Sequence, residues 1–301
     1  MSAPRRIAFA SVASLALACG NGPPRPTGEA PFPMPNPPSS GLPHPQNYDV
    51  DDDIVVDEVT GLAWQRNVDL GLGEAGRFGW QDAMIHCGQL VLGGHDDFRL
   101  PTRIELVSIV DPSAQEPAID VQAFGDAPLE AHWTSSLVAA DVDQAYSVEF
   151  LSGATSSSSR SDELALRCVR NDHQPILPTR DERYHVDGGT VRDRTTGLRW
   201  QRSPTTETAT RAEARNYCSN LIVNGDASFR LPSMKELQTI VDETQSGLPV
   251  DPNAFPDATG GAYWTSTGTA DDPQSGWIVR FSDGYADRAT LDTAALVRCV
   301  R

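Results

Sequence analysis

Two residue types in this sequence are placed to do chemistry: cysteines and clustered carboxylates. Cys87 and Cys168 lie 81 residues apart, and so do Cys218 and Cys299. Matched thiols can form disulfides, ligate a metal or act as a redox pair. Metal and redox thiols favour CxxC spacing, which this chain lacks, so each pair reads as a bridge closed in an oxidising compartment. Cys19 is left over. The carboxylates are Asp141 and Asp143, and Asp271 and Asp272, in variable stretches of the chain. Calcium needs six to eight oxygens, so these four are candidate calcium ligands only if the fold brings further oxygens to them. They are also candidate contacts for another ligand.

The cysteines recur because the text around them recurs. A shift of 131 residues carries Phe98-Arg99-Leu100-Pro101 onto Phe229-Arg230-Leu231-Pro232, and Trp133-Thr134-Ser135 onto Trp264-Thr265-Ser266. The same shift carries Arg167-Cys168-Val169-Arg170 onto Arg298-Cys299-Val300-Arg301. Upstream the shift is 136, from Thr60-Gly61-Leu62 to Thr196-Gly197-Leu198, so the first copy holds five extra residues, placed in the Gly-rich stretch 70–79. A period this long marks domains rather than solenoid units, and each copy is expected to hold its own core. The copies are bounded at 48–170 and 184–301, with a linker at 171–183.

Within a copy, 55–57 and 62–65 read as a hairpin turned at Gly61, repeated at 190–193 and 198–201. A first helix follows. Its apolar stripe is Trp80, Ala83, Met84, Cys87, Leu90 and Val91 in one copy. In the other it is Ala214, Tyr217, Cys218, Leu221 and Ile222, behind a capping box of Thr210 and Glu213. A second helix follows Arg-Leu-Pro, opened by Thr102 with Glu105 and by Ser233 with Glu236. Tyr146, Val148 and Phe150 then alternate as a strand does, as do Trp277, Val279 and Phe281. Two helices on a small antiparallel sheet make each copy an α+β domain. Each bridge then ties the first helix to the last strand. Closing a loop of 81 residues contributes about 4–5 kcal/mol on the chain-entropy model.

The ends and the charge bound the setting. Arg5 and Arg6, then the apolar run 7–18, read as an export signal too short to span a bilayer. Small residues before Cys19 resemble a lipoprotein processing box, with Ala16 where Leu is usual. Residues 1–18 are expected to be removed and Cys19 lipidated, and Gly20 after it points to the outer membrane. Residues 19–47, rich in Pro and Gly, are expected to be a disordered tether. Net charge is −17, and Lys235 is the one lysine. Residues 49–170 carry 22 acidic and 7 basic side chains, whereas 184–301 carry 15 and 12. Nucleic acid and other polyanions need a basic footprint, and the composition shows none.

The ordered motifs Thr-Gly-Leu-x-Trp, Ala-x-x-x-Cys, Phe-Arg-Leu-Pro-[Thr/Ser]-x-x-Glu-Leu, Trp-Thr-Ser and Arg-Cys-Val-Arg resemble those of the Lcl C-terminal domain, named after a bacterial collagen-like adhesin. Phe98 and Phe229 stand where that family usually has Trp. The resemblance covers 49–170 and 184–301. It implies a C-type-lectin-like fold in tandem; the adhesin's domain binds sulfated glycans through a basic surface, an activity not expected to carry over to this acidic chain. Asp272-Pro273-Gln274 is similar to the calcium motif of sugar-binding lectins, with a different residue order and without its Trp-Asn-Asp partner.

Arg99 and Arg230 are expected to be structural, paired with a carboxylate such as Asp111 or Asp242. Trp64, Trp133, Trp200 and Trp264 sit in the repeated scaffold and are expected in the core rather than stacked on sugars. Ligand contacts are expected in the loops 112–132, 137–145, 243–262 and 268–276. No nucleophile–base arrangement occurs in both copies, so an enzyme is not expected. The expected protein is a cell-envelope lipoprotein, periplasmic or surface-exposed, that recognises a glycan or an envelope protein and touches the membrane through its lipid alone. The alternative is a structural envelope lipoprotein that binds another protein.

Overall fold

The computed structural model describes residues 30–68, 76–125, 127–173 and 176–301. The expected signal, Cys19, residues 20–29 and much of the Gly-rich insertion lie outside the described residues. The first copy runs β1 (Tyr48–Val50), β2 (Ile54–Asp57), β3 (Leu62–Gln65), α1 (Trp80–Gln89), α2 (Arg103–Ser108), α3 (Val121–Phe124), β4 (Ala131–Val138), β5 (Asp141–Glu149), β6 (Thr155–Ser159) and β7 (Val169–Asn171). A short helix α4 (Arg180–Arg183) then leads into the second copy. There the elements are β8 (Tyr184–Asp187), β9 (Thr190–Asp193), β10 (Arg199–Gln201), α5 (Arg211–Asn220), α6 (Met234–Gln238), β11 (Ala262–Gly268), β12 (Ser275–Arg280) and β13 (Ala286–Thr290).

Each copy is α+β, with two small antiparallel sheets. One sheet is built from the hairpin, in the orders β1-β2-β3-β7 and β10-β9-β8. The other is a meander, β4-β5-β6 and β11-β12-β13. The hairpins turn where expected, and Gly61 and Gly197 adopt φ of 74° and 77°, which a side chain would resist. All three expected capping boxes form, at Thr102, Thr210 and Ser233. Both bridges close, with Cα atoms 5.4 Å apart; the first joins α1 to the residue before β7, whereas the second joins α5 to Cys299, which lies past β13, the last strand of its copy. The apolar stripe of the first helix is narrower than its sequence suggests. Ala83 and Cys87, and Ala214 and Cys218, are buried, whereas Met84, Val91, Tyr217 and Ile222 are exposed. The chain turns extended at Leu90 and Leu221, so Val91 and Ile222 lie past the helix end.

The copies do not keep separate cores. Small clusters surround each disulfide, but the largest spans both copies, joining Leu106, Val110 and Phe150 to Leu237, Ile240 and Phe281. The reason is that α2 and α6, equivalent helices, pack on each other, as do the equivalent strands β6 and β13. Like meets like, as across a two-fold axis. Each copy also caps the other's helix end. Arg103 donates to the Gln238 carbonyl at 3.0 Å and pairs with Glu243 at 2.5 Å, while Lys235 Nζ donates to the carbonyls of Ser108 and Val110 at 2.7 and 2.8 Å. Burial lowers the Lys235 ammonium to about 7, partly countered by Asp57 and Asp111.

Residues 30–47 are not the tether their composition suggests. Phe32, Met34 and Asn36 are buried, with Phe32 and Met34 in the shared core. Phe32 N–H donates to Thr195 O at 2.8 Å, and Asn36 Oδ1 accepts from Ser233 Oγ at 3.2 Å. Two apolar side chains at spacing two suffice to dock the segment, because a groove between the copies receives them.

Candidate functional site

The tryptophans Trp64, Trp133, Trp200 and Trp264 are fully buried, and none can stack on a sugar. Trp133 Nε1 donates to Phe78 O at 2.7 Å and Trp264 Nε1 to Ala209 O at 2.9 Å, so both serve the scaffold. Arg99 and Arg230 are structural, but their partner is not the expected one. They grip Glu105 and Glu236 through both guanidinium nitrogens at 2.6–2.8 Å. Each glutamate is also its helix's capping-box residue, so one carboxylate fixes both the motif and the helix start.

Of the carboxylates expected in loops, Asp141 and Asp143 stand at the start of β5, whereas Asp271 and Asp272 lie between β11 and β12. Asp141 Oδ1 accepts the Asp143 N–H at 3.1 Å. Asp271 pairs with Arg288 at 2.8 Å. Asp272 closes its own turn, accepting from Gln274 N at 2.9 Å and Ser275 Oγ at 2.6 Å, and those bonds hold its carboxyl below the usual range. Among the described residues no three His, Cys, Asp or Glu side chains converge into a set that could hold a metal ion.

Cationic side chains do converge, on the second copy. His185 lies opposite Arg192, and Arg192 opposite Arg199, across β8, β9 and β10. Arg199 exchanges two backbone bonds of 2.9 Å with Arg301, which extends the row by one residue beyond the three strands. Residues directly opposite share a face of a sheet, so these four side chains stand together, and Arg194 joins them two residues along from Arg192. In the first copy the same row reads Asp49, Val56, Ala63 and Arg170. Basic character is therefore a property of the second copy alone.

A cleft of about 540 Å³ opens beside this row. Its charged lining is Arg192, Arg194, Arg230 and Arg301 against one carboxylate, Glu236, with His44 from the N-terminal segment on the opposite wall. Arg301 pairs with Asp226 at 2.5 Å, and Arg199, beside it in the row, reaches Asp187 at 3.3 Å. Arg192 and Arg194 are exposed and make no close ion pair among the described residues, and Glu182 acts on Arg194 only at longer range. Two unpaired guanidinium forks on a rigid sheet can bind a sulfate or carboxylate through paired N–H donors. The expectation that no basic footprint exists is thus corrected. Net charge is a sum over the chain, and folding gathers arginines that the sum conceals. The signal that marks them lies in the differences between the copies, where arginine replaces Val56, Glu58 and Ala63.

Comparison with curated proteins gives no match. The family model described as the Lcl C-terminal domain matches residues 53–170 and again residues 189–301. With two matches that together cover most of its length, the chain belongs to the Lcl C-terminal domain family and carries the domain in tandem.

Proposed function

We propose that this protein is an adhesin-like recognition module of the cell envelope that binds an anionic glycan through the basic face of its second copy. Membership of the family suggests the adhesin-like role. The observation that carries the ligand class is the pair Arg192 and Arg194, unpaired in a cleft with four arginines and one carboxylate, in a chain of net charge −17. We read the fold as C-type-lectin-like, which the bridge from the first helix to the end of each copy and the tryptophan early in the first strand of each meander support. The protein is held to the outer membrane by lipid on Cys19. Among the described residues no helix is long and apolar enough to cross a membrane.

The test is calorimetric titration of the full chain with heparin as a sulfated probe and dextran as a neutral one, with calcium and with chelator. Heparin should bind, more weakly as salt rises, and equally in chelator. Arg192→Val with Arg194→Gln should weaken it about a hundredfold, taking about tenfold for each charge-assisted hydrogen bond removed. Equal binding of dextran would sink the anionic reading. Silence with every glycan, together with capture of one envelope protein, would favour the protein-binding alternative.

A further inference from the structure

A second cavity, of about 450 Å³, lies on the other side of Arg230, which lines both. The loop 36–45 stands between them, with Asn36 to Leu42 on one side and Pro43 and His44 on the other. The charged residues lining this second cavity are Arg215, Arg230 and Lys235, and no carboxylate lines it.

The helix α5 places the cations. Arg211, Arg215 and Ser219 recur every four residues and so share one face of it. Arg211 Nη2 and Arg215 Nη2 donate to the same oxygen, Ser266 O, the latter at 2.8 Å. Arg211 Nε also donates to Thr265 O at 3.0 Å. Two guanidinium groups on one neutral acceptor repel each other, and neither has an ion pair among the described residues. Burial, and then Arg215, lower the Arg211 guanidinium to about 10.

Packing does not require this arrangement, as the first copy shows. The equivalents of Arg211 and Arg215 there are Trp80 and Met84, and Trp80 Nε1 takes the equivalent carbonyl, Thr134 O, at 2.8 Å. One uncharged donor is enough to hold helix to strand. The second copy places two like charges there, beside a cavity with hydroxyls of Ser113, Ser219 and Thr267 in its wall.

We propose that this cavity is a second anion subsite and that the ligand is an extended polyanion, one sulfate or carboxylate held at Arg192 and Arg194 and another at Arg215, with Arg230 between. The inference rests on the anionic-glycan reading above and adds that chain length decides affinity. Two subsites on one ligand convert the second binding event into an intramolecular one, so a chain that reaches both gains affinity over one that fills either.

The experiment titrates the full chain with a heparin-derived disaccharide and octasaccharide. The variants are Arg215→Met, the residue of the first copy, and Arg192→Val with Arg194→Gln. The octasaccharide should bind about a hundredfold tighter than the disaccharide. Arg215→Met should lower octasaccharide affinity about tenfold while changing the disaccharide by about twofold or less. If Arg215→Met leaves the octasaccharide unchanged while the Arg192 and Arg194 variant weakens it, the second subsite is overturned and the basic-face reading stands. If neither variant weakens it, both fall. The unfolding midpoint of Arg215→Met, expected near wild type because Arg215 is exposed, separates a binding defect from a folding defect.

Discussion

Glu236→Gln should weaken the fold and tighten the ligand. The Glu236 carboxylate is buried and accepts from both Arg230 nitrogens at 2.7 and 2.6 Å and from Ser233 N–H at 2.8 Å. Glutamine keeps the shape and the helix cap, but its amide nitrogen faces a guanidinium and cannot accept. Removing one partner of a buried ion pair costs about 3–5 kcal/mol. Here the Arg230 side chain is 30% exposed and water can replace part of the loss, so about 2 kcal/mol remains. For a folded chain of this size that lowers Tm by about 4–8 °C. Binding moves the other way, because the cleft loses the one carboxylate that lines it. A unit charge about 8 Å from a ligand anion, at an effective dielectric constant near 40, is worth about 1 kcal/mol, or about fivefold in affinity. The repeat supplies the control. Glu105→Gln breaks the same pair with Arg99, at 2.8 and 2.7 Å, in the same cap, on the copy without the basic face. Thermal unfolding and calorimetry on both variants should show matched loss of stability and a gain in heparin affinity for Glu236→Gln alone. Weaker or unchanged binding by Glu236→Gln, or equal tightening by Glu105→Gln, would refute the argument.

Three further outcomes are expected. His132 is fully buried, and burial, then Arg167, push its imidazole down to about 3. Between there and its unfolded value near 6.5 the unfolded chain binds the extra proton, so stability falls as pH falls through that window, by at most about 1.4 kcal/mol for each pH step of one. His132→Phe should flatten this slope in urea unfolding from pH 4 to 7, and an unchanged slope would show that His132 is not its source. Phe32→Ala should cost about 2–3 kcal/mol, less than a core Phe→Ala because residues 30–47 can detach, and should speed proteolysis within 38–45. A Tm and cleavage rate equal to wild type would mean that the segment is a tether after all. Cys19→Ser should move the protein from the membrane fraction to the soluble one, and retention in the membrane would sink the lipid anchor.

The scaffold was legible because its determinants are local or duplicated. A capping box at Thr102 or Ser233 is written within four residues, and the pairing of Cys87 with Cys168 is written twice. The Arg99 partner was misread because Glu105 was already assigned to the capping box, and one carboxylate serves both the cap and the Arg99 guanidinium. The tether was misread because composition averages over residues, and docking depends on two of them, Phe32 and Met34.

By itself the sequence determined the duplication, the α+β order of elements, the disulfides and the burial of the repeated tryptophans, all of which follow from periodicity and spacing along one chain. Only the tertiary structure decided that the copies share a core, that residues 30–47 complete it, and that Arg192, Arg194, Arg215, Arg230 and Arg301 stand around two cavities. The physical reason is that a binding face is a sum over neighbours in space. Backbone pairing placed His185, Arg192 and Arg199 from three strands beside Arg301, a hundred residues on, in a chain whose total charge has the opposite sign.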